Sequence, residues 1–185
     1  MTYNINRVTP QTNPRGIPAA PFVDNVSDYV SSRADVESTL RSFQEMISKY
    51  QFMEVNASRR GAGLRDKIPD IKKTLDTVRF LQLQKANSGA PMDASFELND
   101  TLYARATVTP SELEEVYLWL GANVMLAYPL AEAETMLSEK LAAAELSLKN
   151  CEEDLEFLRE QITVGFLISL FSFELKVAGL AVNGC

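Results

Sequence analysis

The chain contains no histidine. Its absence removes the commonest general base, the Ser-His-Asp and Cys-His nucleophile arrangements, and most zinc sites. Only two cysteines, Cys151 and Cys185, occur in 185 residues. They form no CxxC and no disulfide framework, which fits a reducing compartment. A phosphate-cradling glycine loop is also missing: Gly61-Ala62-Gly63 has Asp66 where a third glycine would stand, and no strand precedes it. There is no P-loop and no metal-ligand cluster, so an enzyme is disfavoured and neither cofactor nor metal is expected. Basic residues do not dominate: 18 against 25 acidic ones give a net charge of −7. Such a surface repels phosphate backbones and disfavours nucleic acid as a partner. No apolar run of signal-peptide length opens the chain, so secretion is not expected.

What is present is apolar patterning, in 46% of the residues, and it changes period along the chain. The stretch Leu102 to Tyr128 reads as β-structure. Val116, Leu118 and Leu120 alternate with Tyr117 and Trp119, and Val124, Leu126 and Tyr128 follow a Gly121-Ala122-Asn123 turn signal. Alternation at period two, broken by Gly-Ala-Asn, predicts a hairpin. Phe96 to Leu98 predicts a short strand and Leu102 to Val108 a better one, which makes two hairpins over about 95–128. Thr109-Pro110-Ser111 opens the connection between them, with a brief turn at Ser111 to Glu114. A small sheet alone is only marginally stable, so it needs a cover, and its edges need partners.

Helical heptads flank this stretch. The first comprises Leu40, Phe43, Ile47, Tyr50, Glu54, Ala57, Gly61, Leu64, Ile68, Ile71, Leu75 and Val78, all apolar except Glu54 and Gly61. Steps of three and four sustained this long predict a coiled-coil helix over about 36–85. Gly61-Ala62-Gly63 and Pro69 oppose continuity, because an interior proline costs about 3 kcal/mol. The heptad phase is unchanged across them, so one bent helix is preferred over two; at about 1.5 Å per residue it would span roughly 75 Å. Ala86 to Asp93 reads as a loop. The second heptad comprises Leu130, Glu134, Leu137, Leu141, Ala144, Leu148, Cys151, Leu155, Leu158 and Ile162, in a helix over about 129–164 opened by Pro129. Cys151 therefore reads as a small buried apolar residue, and Glu152-Glu153-Asp154 beside the seam as a solvated face. Two such helices joined through hairpins must pair antiparallel within one chain. The predicted class is α+β: two long antiparallel coiled-coil helices joined by two β-hairpins, with their free ends far from the sheet.

Before the first helix, residues 1–31 predict an N-terminal arm. Met1 to Pro21 carries four prolines (Pro10, Pro14, Pro18, Pro21) and reads as flexible. Phe22, Val23, Val26, Tyr29 and Val30 are either a short amphipathic turn that docks or incidental apolar residues in a disordered segment. Ser32 to Asp35 fits a capping box.

Six segments, RGIPAAPFVDNV, KYQFMEVN, KIPDIKKTL, LYARATV, LWLGANVMLAYPLAEA and EEDLEFLREQ, resemble the α-class subunits of the eukaryotic prefoldin chaperone. The likeness covers Arg15 to about Val164, and LWLGANVMLAY is its specific part. The resemblance implies a heterohexamer of two α-class and four β-class subunits in the cytoplasm. It implies coiled-coil tips that grip unfolded actin and tubulin and pass them to the cytosolic chaperonin, without nucleotide or metal. It also implies an assembly platform, here Leu102, Ala104, Ala106, Val116, Leu118, Trp119, Leu120, Val124 and Leu126, some of which would instead serve as the chain's own core. Client-binding tips would comprise Phe43, Met46, Ile47, Tyr50, Leu155 and Leu158. Met46, off the seam and adaptable, is the better client contact, while seam packing competes for the others. The alternative reading is a coiled-coil structural adaptor without client binding.

After Val164 the likeness stops, and GFLISLFSFELKVAGLAVNGC follows as an atypical apolar tail over 165–185. Extending the heptad gives Gly165, Ser169, Ser172, Lys176 and Gly179, so the seam is expected to end there. The tail reads first as non-ancestral coding sequence, from a retained intron, a shifted frame or an unusual splice form. A membrane anchor is disfavoured, because the uncharged run from Gln161 to Phe173 is shorter than the roughly 20 residues a span needs. A third reading is an aggregation-prone segment, FLISLFSF being β-prone and uncharged.

Overall fold

The computed structural model describes residues 12–21, 33–87 and 89–182, and for 33–36 and 168–182 the backbone alone. Phe22, Val23, Val26, Tyr29, Val30, Ser32 and Cys185 lie outside the described residues, and so does the capping box. Helix α1 runs Arg33–Ala86, strands β1 and β2 Met92–Asn99 and Leu102–Val108, β3 and β4 Glu115–Gly121 and Val124–Pro129, and helix α2 Leu130–Val182. A 3₁₀ turn, Pro110–Glu112, links the hairpins. α1 contains Pro69 without interruption. The single helix is thus preferred over the break, and the reason is local: Pro69 faces solvent, where water can take the place of the lost hydrogen bond.

The chain divides into two compact units, Met1–Ala62 with Leu148–Cys185 and Gly63–Ser147. The second, the hairpin unit, has its core where three elements meet. Leu75 and Val78 of α1, Leu118 of β3, and Leu130, Ala133 and Leu137 of α2 are buried together. Val116, Leu113 and Tyr128 pack on their margin. Gln82 Nε2 donates to the Leu130 carbonyl at 2.9 Å and Lys85 Nζ to the Leu113 carbonyl at 2.8 Å. Both bonds tie the end of α1 to the chain entering β3 and α2. Arg79 pairs with Glu134 at 2.9 Å. As the chain climbs from 79 to 82 in α1, its partner falls from 134 to 130 in α2, so the helices run antiparallel here.

Each hairpin is a separate two-stranded antiparallel sheet. In β3–β4 the register pairs Val116 with Tyr128, Leu118 with Leu126, and Trp119 with Met125. A two-residue turn closes it, with Ala122 at φ 48° and Asn123 at φ 60°. Both left-handed residues give the twist that suits a tight hairpin. Gly121 at φ 90° absorbs the register shift after Trp119.

The first, or terminal, unit pairs Arg33–Ala62 of α1 with α2 from Leu148 onward. Ile47 meets Gly165, Glu54 pairs with Arg159 at 3.0 Å, and Gly61 faces Cys151 and Leu148, again an antiparallel order. Phe43, Tyr50, Cys151, Leu155 and Leu158 are buried. Two expectations change here. Gly165 is buried against Ile47, so the seam reaches one step past Val164, and the backbone stays helical to Val182. Residues 12–21 are a docked turn, where Met1 to Pro21 reads as flexible from its sequence. The reason is a set of buried polar anchors, described below. No helix among the described residues is long and apolar enough to cross a membrane.

Candidate interaction surfaces

The β1–β2 hairpin has one apolar and one polar face. Pairing puts Met92 opposite Val108, Ala94 opposite Ala106, and Phe96 opposite Ala104 on one side. Asp93, Ser95 and Glu97 face Thr107, Arg105 and Tyr103 on the other. The Thr107 hydroxyl donates to Asp93 at 3.2 Å. An antiparallel sheet with this alternation buries its apolar side, yet Phe96 is 61% exposed and Leu102 is exposed too. The β3–β4 hairpin is apolar on both faces. Leu118 is buried under the helices, while Tyr117 and Trp119 on the opposite face are 69% and 61% exposed, with Met125 beside Trp119.

The nine platform residues therefore separate. Leu118 lies in the chain's own core and Val116 packs against it, the role expected for some of the nine, because their face of β3 is the one the helices cover. Ala104 and Ala106 are half-buried. Leu102, Trp119, Leu120, Val124 and Leu126 remain exposed. Sequence reasoning left out Phe96, Leu98, Tyr103, Tyr117 and Met125, all exposed apolar residues of the same hairpins. The alternation that marks Tyr117 as opposite Leu118 was the signal available for one of them.

The tip candidates separate as well. Phe43, Tyr50, Leu155 and Leu158 are buried along the seam, the packing that competes with a role as client contacts. Met46 and Ile47 are half-buried. Phe52, Val55, Phe166 and Leu167 are exposed apolar residues of the terminal unit, and the heptad reading, which follows the seam, passes over them.

The acidic run after Cys151 is more than a solvated face. Asp154 Oδ1 accepts from Asn13 Nδ2 at 2.6 Å and from Arg15 Nε at 2.5 Å. Arg15 also reaches Glu153 at 3.0 Å and Asn150 at 3.2 Å. The hydrogen bond to Asp154, ahead of that to Glu153, raises the Arg15 pKa. Asn13 is buried, and its Oδ1 accepts from the Arg15 and Ile17 amides at 3.0 and 2.8 Å. Further along, the Tyr50 hydroxyl donates to the Pro18 carbonyl at 3.0 Å, and the Ala20 amide donates to Oε1 of buried Gln161 at 2.8 Å. Burial raises the Tyr50 pKa. Among the described residues no group of acidic, cysteine or histidine side chains could hold a metal.

A family model described as Prefoldin subunit matches residues 50–164. The chain is 67% identical over 152 residues to prefoldin subunit 3 of Elsinoe fawcettii, covering 82% of this chain and 76% of that one. The chain belongs to the prefoldin family. It is also 51% identical to a probable prefoldin subunit 3 of Schizosaccharomyces pombe, covering 82% and 85% of the two chains. It is 39% identical to prefoldin subunit 3 of Homo sapiens, covering 80% and 75%. A solved filamentous prefoldin of Methanocaldococcus jannaschii aligns at a TM-score of 0.39 and 16% identity, covering 58% and 90%; the assignment rests on the sequence relatives instead. Prefoldin subunits are chaperone subunits, not enzymes, and form complexes with other prefoldin subunits. The matched prefoldin region includes both hairpins whose apolar faces stand open.

Proposed function

We propose that this chain is an α-class subunit in a hexamer of two α-class and four β-class prefoldin subunits, working in the cytoplasm. Its role there is to bind non-native chains of the actin and tubulin type at the coiled-coil ends and pass them to the cytosolic chaperonin without ATP. The observation that carries the assembly half is the pair of small sheets with open edges and exposed Trp119 and Phe96. Unpaired strand edges and an apolar face seek partners. For client capture the support is the exposed Phe52, Val55, Phe166 and Leu167 beside half-buried Met46 and Ile47. Weak apolar contacts of this kind gain strength when several arms act together.

The competing reading, a coiled-coil structural adaptor without client binding, draws on the burial of Phe43, Tyr50, Leu155 and Leu158. One experiment separates them. Co-expression with the five other prefoldin subunits, followed by native mass, is expected to yield a six-subunit particle that suppresses aggregation of unfolded actin. A six-subunit particle that leaves aggregation unchanged favours the adaptor, and failure to assemble overturns the hexamer reading and moves the adaptor ahead.

A further inference from the structure

The docked turn over residues 12–20 is held by two kinds of contact. The first kind reads side chains: Asn13 and Arg15 against Asp154, Glu153 and Asn150. The second reads only main chain. Tyr50 donates to the carbonyl of residue 18, and Gln161 accepts from the amide of residue 20. In an extended chain the C=O of one residue and the N–H two residues on point to the same side. Tyr50 and Gln161, from opposite helices and both buried, match that pair. Pro18 lies in an isolated antiparallel bridge with Thr12, and nothing in these two bonds depends on which side chains the segment carries, so an extended polypeptide offers the same two groups.

We infer that Tyr50 and Gln161 form a main-chain-reading site for extended polypeptide, that residues 18–20 occupy it as a built-in ligand, and that Arg15 with Asp154 is the latch that keeps them there. The inference rests on the client-binding reading above. A non-native chain competes with the arm for the site, and the latch sets how strongly it must compete. The latch is modest in strength, since the Arg15 side chain keeps 27% of its exposure and partly exposed ion pairs are weak. Opening it raises the fraction of vacant sites and so the apparent affinity in proportion.

The test uses the assembled particle and a fluorescein-labelled, reduced and carboxymethylated lactalbumin as a permanently unfolded probe. Arg15→Ala and Asp154→Asn each tighten probe binding by about fivefold, and a chain beginning at Phe22 does so by at least as much. Adding Tyr50→Phe and Gln161→Ala to that shortened chain abolishes the gain. Unchanged or weaker binding in the latch variants overturns the proposal, as does a gain that survives Tyr50→Phe with Gln161→Ala. A synthetic peptide of residues 12–21 supplies a readout without a client. It binds the shortened chain and loses binding when Tyr50 and Gln161 are changed; failure to bind overturns the site. Should the peptide bind while the probe binds no version of the particle, the client-binding reading is the part that failed, and the site is not a client site.

Discussion

Gly165 of α2 lies so close to Ile47 of α1 that a Cβ added to it would sit 2.8 Å from Ile47 Cγ1. That distance is inside van der Waals contact, and Cγ1 is the inner part of a branched side chain that cannot simply swing away. Gly165→Ala is therefore expected to lower stability by about 1–3 kcal/mol through overpacking, offsetting its gain in helix propensity. Gly63 has nothing within 4 Å of such a Cβ, so Gly63→Ala is expected to raise stability by up to about 1 kcal/mol. Thermal unfolding of the two variants side by side checks both signs.

The β3–β4 turn holds a second pair of opposite expectations. Ala122 sits at φ 48°, a conformation that costs an L-residue with a Cβ about 1 kcal/mol or more. Ala122→Gly is expected to stabilise the hairpin by a few tenths to about 1 kcal/mol, and Gly121→Ala, at φ 90°, to destabilise it by about 1 kcal/mol or more. Denaturant midpoints at unchanged slope are the readout.

Alkaline pH is expected to loosen the docked arm. Tyr50 is pushed up by burial, and its hydroxyl donates to Pro18. Above about pH 10 the unfolded chain loses the phenolic proton while the folded chain retains it, so the unfolded state binds fewer protons and stability falls as pH rises. The contribution is fully present below the unfolded pKa and shrinks as pH climbs toward the raised folded value. Unfolding measured from pH 8 to 11 should show a decline that Tyr50→Phe lessens; an identical decline in that variant would refute the assignment.

Two neighbours on β3 should fail in different ways. Leu118 is 8% exposed and part of the chain's own core, so Leu118→Ala is expected to cost about 2–5 kcal/mol of chain stability. Trp119 is 61% exposed, so Trp119→Glu is expected to leave helix content unchanged by circular dichroism while blocking entry into the hexamer by native mass. Equal effects of the two on assembly and helix content would remove Trp119 from the interface.

Much of the architecture was legible in the residues. Every heptad position from Leu40 to Val78 and from Leu130 to Ile162 is buried or half-buried, because a run of apolar side chains at steps of three and four has one face to hide. Even the polar exceptions have an account, though not one that spacing contains: Glu54 pairs with Arg159 and Glu134 with Arg79. Strand β2 begins and ends where its alternation does. β1 extends well beyond Phe96 to Leu98, because Asp93, Ser95 and Glu97 have no apolar signal and enter the sheet through backbone bonds to β2.

The sequence by itself determined two antiparallel heptad helices, two hairpins between them, and a family whose specific segment is LWLGANVMLAY. Periodicity is a local property, and it survives without knowing what lies opposite. Which face of β3 the helices cover, which tip candidates are buried, and whether residues 12–21 lie free or docked were decided only by tertiary structure. Each of those depends on a partner far along the chain: Leu75 and Leu137 near Leu118, Asp154 for Arg15, Gln161 for Ala20. A single residue's chemistry states what it can bond with, and the fold decides what stands within reach.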